Sequence, residues 1–136
     1  MGAITYREGG AIPAKQLRDL AAALGAGDGD LPTPAQLLAS AAVASAWDGA
    51  RLVGLARLVG DGDGLAVLQH VGVDPAYRRQ GVGQALVRAC LAGCAGATVV
   101  ALPRGAGAAA FLAGCGLTQR ATALVRPAPL TAVDRR

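Results

Sequence analysis

The chain of 136 residues has few aromatic side chains, which make up 3% of the sequence. So few rings offer no stacking platform for bases, and binding to nucleic acid is not expected. The roughly 18-residue apolar run that a membrane span needs is also missing, because Arg, Asp, Gly or Pro interrupts every run. The first residues lack a basic segment followed by an apolar stretch, so no secretory signal is expected and a cytoplasmic location follows.

Cysteine and charge are sparse as well. Cys90, Cys94 and Cys115 are odd in number and lack zinc-type spacing with histidine, so packed, reduced thiols and no metal site are expected. The net charge of +4 comes from basic residues that are spread from Arg7 to Arg136. A nucleic-acid footprint would be more clustered. The charge is compatible with a phosphate-bearing small molecule, which a few arginines and backbone amides can hold.

The hydrophobic fraction of 53% fits one folded domain over residues 1–136. Periodicity and turn residues predict its elements in the order β-α-α-β-β-β-α-β-α-β. The strands are expected at residues 3–8, 42–47, 50–59, 65–73 and 97–103, with a final strand or hairpin at 117–127. The helices are expected at 13–24, 33–38, 82–91 and 105–116. Asp-Gly signals at residues 48–49 and 61–64 predict hairpins between three antiparallel strands. The fold class is α+β (or α/β) with a mixed sheet, and residues 127–136 are expected to form a tail.

The most informative segment is HVGVDPAYRRQGVGQALV at residues 70–87. It predicts a strand that stops at Asp74 and Pro75, a turn that contains Gly81 and Gly83, and then a helix. Backbone N–H groups at a helix start lack partners within the helix, and with the helix dipole they form a site for an anion. The segment lacks the Lys-Ser/Thr pair of a P-loop and the third glycine of a dinucleotide fingerprint, so ATP and NAD are not favoured.

The same segment resembles the cofactor loop of a known family. Residues 78–83, RRQGVG, follow a V-x-V strand and are similar to the Q/R-x-x-G-x-G/A loop of the GNAT superfamily of acyl-CoA N-acyltransferases. The order of elements also resembles the GNAT fold, a mixed, mostly antiparallel sheet flanked by helices. The resemblance implies that acetyl-CoA is the acyl donor and that its acetyl group passes by direct attack to an amine of a small molecule or peptide.

Binding residues follow from this resemblance. It implies that the backbone groups of Val71 and Val73 meet the pantetheine arm of the cofactor. Arg88 and Arg104 are candidates for the 3′-phosphate, with solvated surface arginine as the competing interpretation. The pyrophosphate is expected to lie against Arg78, Arg79, Gln80, Gly81, Val82 and Gly83.

The family's general acid is missing. Members commonly carry a tyrosine in an F-Y-x-x-x-G-F segment, which protonates the departing CoA thiolate, but Leu112 follows Phe111 here. Cys115 or Thr118 could donate a proton in principle, although packing roles are favoured for both, and water can also protonate the thiolate. Two alternatives therefore stay open: a catalytically silent acyl-CoA-binding regulatory module, and an unrelated α+β binding domain with a fortuitous glycine loop.

The general base is expected on the strand that leads into V-x-V. Strict alternation places Val67, Gln69, Val71 and Val73 on one face, and Leu68, His70 and Gly72 on the other. His70 has suitable chemistry for a base. It falls on the face opposite to the positions where the family places its bases, unless a β-bulge shifts the register. Gln69 is better placed to orient an amine or a water. The acceptor cannot be identified from the residues, and a homodimer is left open.

Overall fold

The computed structural model describes residues 2–25, 31–61, 63–103, 106–120 and 126. The strands and helices follow the predicted order from the first strand to the last helix. The strands are β1 (Thr5–Glu8), β2 (Ala42–Asp48), β3 (Arg51–Gly60), β4 (Leu65–Val73) and β5 (Thr98–Ala101). The helices are α1 (Ala14–Leu24), α2 (Pro34–Leu38), α3 (Val82–Gly93) and α4 (Ala106–Gly114), and a short 3₁₀ turn, Pro75–Tyr77, follows β4.

The five strands form one sheet in the order β1-β2-β3-β4-β5. Neighbouring strands from β1 to β4 are antiparallel, while β5 runs parallel to β4. The expected mixed, mostly antiparallel sheet is therefore confirmed. A further strand was predicted at residues 117–127, but residues 117–120 form none. The rest of that prediction, apart from Arg126, lies outside the described residues, as does the predicted tail.

Helices cover both faces of the sheet. On one face, Leu86 and Val87 of α3 and Leu112 of α4 pack into a cluster with the small side chains of β2 and β3. On the other face, Leu20 of α1 and Leu37 of α2 pack into a second cluster. The central strands are thus buried on both sides, which explains why β3 reads as a nearly continuous apolar run.

The two helices before the sheet have ends that the sequence marks. Pro13 precedes α1, and Gly25 ends it with a left-handed φ of 75°. Thr33 is the expected N-cap of α2: its hydroxyl accepts from the amide of Gln36 at 3.2 Å. The Gln36 side chain accepts in return from the Thr33 amide at 2.9 Å, which completes a capping box.

An irregularity in β4 changes which side chains share a face. Arg57 of β3 pairs with His70, but its neighbour Leu58 pairs with Leu68, so Gln69 is an extra residue in β4. Such a bulge reverses the alternation of side chains. Leu68 and Val73, five residues apart, accordingly pack against the same α3-side cluster. The prediction of strict alternation along this strand was wrong.

Beyond the bulge, His70 and Gly72 turn toward the helix α1 face. A Cβ built on Gly72 would lie 3.0 Å from Cδ1 of Leu24, so the α1 helix packs directly on this strand. Among the described residues, no helix combines the length and apolar character that crossing a membrane requires.

Candidate active site

A cavity opens where β4 and β5 separate. The two strands pair only from Leu65 to Leu68 on β4, while β4 continues alone to Val73. The opening has a volume of about 1250 Å³. Its walls are Leu68–Val73 of β4, residues 101–103 at the end of β5, residues 77–79 and 81–84, four residues of α4, and Leu24 and Leu31. The strand edge beyond Leu68 therefore faces this space rather than another described strand.

Most of the predicted site residues meet at this cavity, but Gln80 and Arg88 do not. Gln80 is exposed and does not line it, and Arg88 is also exposed and outside its walls. Arg104 lies outside the described residues. The predicted residues that line the cavity are Gln69, His70, Val71, Val73, Arg78, Arg79, Gly81, Val82 and Gly83.

The turn after β4 is anchored to the hairpin that joins β2 and β3. Asp74 accepts from the amide of Ala76 at 3.0 Å and from Nη2 of Arg51 at 2.6 Å. The buried Tyr77 donates its hydroxyl hydrogen to Asp48 at 2.5 Å, and this hydrogen bond raises the pKa of Tyr77. Tyr77 therefore fixes the loop in place, because its hydroxyl donates to Asp48 and not into the cavity.

The loop that follows presents cations and free amides. Arg78 donates from Nε to the carbonyl oxygen of Val73 at 3.1 Å, so its side chain folds back over the end of β4. Arg79 adopts a φ of 65°, which is uncommon for a residue with a Cβ. Gly81 caps α3 with a φ of 76°, and no side chain caps this helix start. With no acidic residue in its first turn, α3 directs its positive end at the cavity.

Gly83 has a packing role that the sequence did not reveal. A Cβ at this position would lie 3.1 Å from Cζ of Phe111 and 3.5 Å from Cγ2 of Val73. The glycine therefore allows the Phe111 ring of α4 to lie directly on α3.

His70 contacts a buried arginine behind the cavity wall. Arg57 is 9% exposed, and burial lowers the pKa of its guanidinium. Its Nη1 lies 3.3 Å from Nδ1 of His70, and its Nε donates to the hydroxyl of Ser40 at 2.7 Å. The bulge at Gln69 creates this contact, because it places His70 opposite Arg57 in the sheet.

The residue at the position where the family resemblance implies a general acid lies at the cavity. Leu112 lines it and has no proton to donate. Cys115 is buried outside the lining, and burial raises the pKa of its thiol. Thr118 is exposed and also outside the lining. Trp47 fills the α1-side core and donates from Nε1 to Ser45 at 2.8 Å.

No metal centre is found in the part of the chain that the structure describes, where no group of three or more His, Cys, Asp or Glu could hold an ion. Asp61, in the turn between β3 and β4, caps that turn. Its Oδ1 accepts from the amides of Asp63, Gly64 and Leu65 at 3.0, 2.9 and 3.3 Å, and these hydrogen bonds lower the pKa of its carboxyl.

Several walls of the cavity were not predicted. Leu24 and Leu31 come from the first helical layer, which is distant in sequence from the loop. Gln84 lines the cavity and donates to the carbonyl oxygen of Gly114 at 3.4 Å, linking α3 to α4. The small residues near the start of α4 could have indicated that this helix lines a cavity, because small side chains leave space beside it.

Fold and site together define a class of protein. Its mixed sheet splits between two parallel strands, and a helix that begins at a glycine lies beside the split. Residues 17–117 match the model of the Acetyltransferase (GNAT) family. The chain therefore belongs to the GNAT acetyltransferase family, and the resemblance inferred from its loop is confirmed. No curated protein sequence matches the chain.

Solved structures support the same assignment. A GNAT family acetyltransferase from Streptococcus pneumoniae TIGR4 is 26% identical, with a TM-score of 0.79 over 93% of this chain and 98% of that one. A probable acetyltransferase from Staphylococcus aureus shares the fold at 14% identity, with a TM-score of 0.75 over 95% and 100% of the two chains. An aminoglycoside acetyltransferase from a soil metagenomic sample, solved with sisomicin, is 18% identical, with a TM-score of 0.69 over 94% and 97%.

Proposed function

We propose that the protein is an acetyl-CoA-dependent N-acetyltransferase that acetylates an amine of a small molecule or peptide by direct attack. The observation that carries this proposal is the cavity between β4 and β5. It joins a strand edge that no other described strand pairs with to the positive end of α3. An extended pantetheine arm needs such an edge, and a pyrophosphate needs such a helix start.

The helix start and the strand edge together favour one orientation of acetyl-CoA in this cavity. The pyrophosphate lies at residues 78–83, where Arg78 and Arg79 add positive charge to the free amides of α3. The pantetheine arm runs along the edge of β4 past Val73 and Val71. This direction brings the thioester toward the bulge, where Gln69 and His70 line the cavity.

The reaction needs little chemistry from side chains. The neutral amine attacks the thioester carbonyl carbon, a C–N bond forms, and the C–S bond breaks to release the CoA thiolate. The nitrogen then loses its proton to water, and the thiolate takes a proton from water. Holding amine and thioester together supplies much of the rate, and strand-edge N–H groups stabilise the oxyanion. Leu112 takes no part in proton transfer.

The second candidate is a silent acyl-CoA-binding module. Leu112 favours it, because the family's usual acid position holds an apolar, nearly buried side chain at the cavity. Such a module would keep the cofactor cavity and lose the chemistry. The two candidates therefore agree on CoA binding and differ on turnover.

The acceptor reaches the bulge from the α1 side, where Leu24 and Leu31 line the cavity. An aminoglycoside is bound in the metagenomic relative. For this chain we keep the broader class of amines, since the described lining does not distinguish a sugar amine from a peptide amine.

The test is release of free thiol from acetyl-CoA across a panel of amines and peptides, followed with a thiol-reactive dye. All three cysteines of the chain are buried, so the protein itself contributes little background. At least one amine is expected to release thiol in step with an acetylated product detected by mass spectrometry. The same acceptor with its amine already acetylated is the matched control.

Two negative results have different meanings in this assay. Silence across the panel, with CoA binding intact, contradicts the transferase and supports the binding module. Absence of CoA binding contradicts both candidates.

A further inference from the structure

Arg57 is a buried cation with an unusual environment. Its hydrogen-bond partners are Ser40 and His70, and no carboxylate of the described residues forms an ion pair with it. Buried charges are normally paired with an opposite charge, because taking a cation out of water is unfavourable. Within the described residues, the guanidinium is thus held by neutral side chains, Ser40 and His70, rather than by a carboxylate.

The chemistry of guanidinium fixes the direction of its contact with His70. Arginine has N–H donors and no acceptor, and it stays protonated in proteins. Its Nη1 lies 3.3 Å from Nδ1 of His70, so Nδ1 must be the acceptor and its lone pair is engaged. A neutral imidazole with Nδ1 accepting carries its hydrogen on Nε2.

The surrounding structure holds this contact in place. Ser40, which follows α2, accepts from Nε of Arg57 at 2.7 Å and orients the guanidinium plane. The bulge at Gln69 turns His70 to the same face as Arg57, directly opposite it in the sheet. The contact thus depends on two features that are separate in sequence.

We infer that Arg57 is a positioning residue that holds His70 in the cavity wall as the neutral Nε2–H tautomer. In this state His70 has no lone pair with which to take a proton from a substrate ammonium. Its ring therefore carries the hydrogen on Nε2 and does not act as the general base. The meaning of this tautomer for acetyl transfer rests on the proposed function, whereas the tautomer itself does not.

The tautomer can be read directly, because the chain has a single histidine. Long-range ¹H–¹⁵N spectra of the unliganded protein at about pH 8, above the ordinary histidine pKa, contain one imidazole. We expect Nε2 to show the shift of a protonated nitrogen and Nδ1 the shift of a hydrogen-bonded acceptor. In Arg57→Met, which keeps the side-chain length but removes the donors, Nδ1 moves to the shift of an unbonded nitrogen.

Two further variants complete the test. Arg18→Met removes an exposed arginine of α1 and leaves the imidazole spectrum unchanged. Ser40→Ala releases the guanidinium, so the Nδ1 shift moves in the same direction as in Arg57→Met, which keeps the test decisive if Arg57→Met does not fold. A hydrogen on Nδ1 in the wild-type protein overturns the inference. An Nδ1 shift that is the same in the wild-type protein and in a folded Arg57→Met or Ser40→Ala variant also overturns it. Neither outcome depends on whether the protein acetylates anything.

Discussion

At the scale of single residues, the extra residue Gln69 decides which side chains reach the chemistry. It separates Leu68, which faces α3, from His70, which faces Arg57 and the α1 layer. His70 still lines the cavity, so its position alone does not exclude it as a base. The state of its ring limits it, because the Arg57 hydrogen bond occupies Nδ1.

Replacing His70 with glutamine is therefore expected to lower the rate of acetyl transfer by less than about tenfold, whereas loss of a general base typically costs about 10²–10⁴-fold. Glutamine keeps a polar side chain of similar reach and removes only the imidazole. The measurement is kcat for a good acceptor, with CoA affinity and thermal stability as controls. A loss of several hundredfold in a folded variant that still binds CoA would show that His70 is the base.

At the scale of elements, the contact between α3 and α4 depends on a missing side chain. The Phe111 ring occupies the space where a Cβ of Gly83 would lie, at 3.1 Å from Cζ. We expect Gly83→Val to destabilise the fold by about 1–3 kcal/mol, the usual cost of overpacking. Denaturant unfolding measures this, and the cost should shrink when Phe111→Leu is present in the same chain.

A second glycine provides the control for this experiment. Gly107 also lies in a helix, but a Cβ there would meet nothing within 4 Å, so Gly107→Val should not destabilise the fold. Strictly additive effects of Gly83→Val and Phe111→Leu would show that the two positions are not coupled.

The elements themselves were largely predictable, because their signals are local. Thr33 with Gln36 marks the start of α2, and Gly25 marks the end of α1. The bulge in β4 was not predictable. No Gly or Pro marks the position of Gln69, and the register depends on the pairing of β4 with β3. The site also has a part with local signals and a part without them. The loop at residues 78–83 could be located from its own residues. The position of Leu24 in the cavity wall and the contact of Arg57 with His70 arise from tertiary packing.

At the scale of the whole molecule, helices on both faces hold the sheet so that β4 and β5 can separate at one end. The described α1 and α3 helices pack on opposite sides of the central strands. The split between β4 and β5 is therefore a feature of the sheet itself. A cytoplasmic location and a homodimer remain predictions from the sequence.

The central claim is that this split binds CoA with its pyrophosphate at residues 78–83. Arg79 offers a clean variant, because its φ of 65° suits glycine better than arginine. Arg79→Gly should therefore leave the thermal stability unchanged or higher while removing a cation from the cavity. Arg18→Ala, which removes an exposed arginine from α1, is the matched charge control.

Calorimetric titration of CoA into these three proteins is the most direct test. We expect the wild-type protein and Arg18→Ala to bind CoA with equal affinity. Binding to Arg79→Gly should be tenfold weaker or more, since a charge-assisted hydrogen bond contributes roughly 1.5–3 kcal/mol. No binding to the wild-type protein, or the same affinity in a folded Arg79→Gly, would contradict this location of the cofactor.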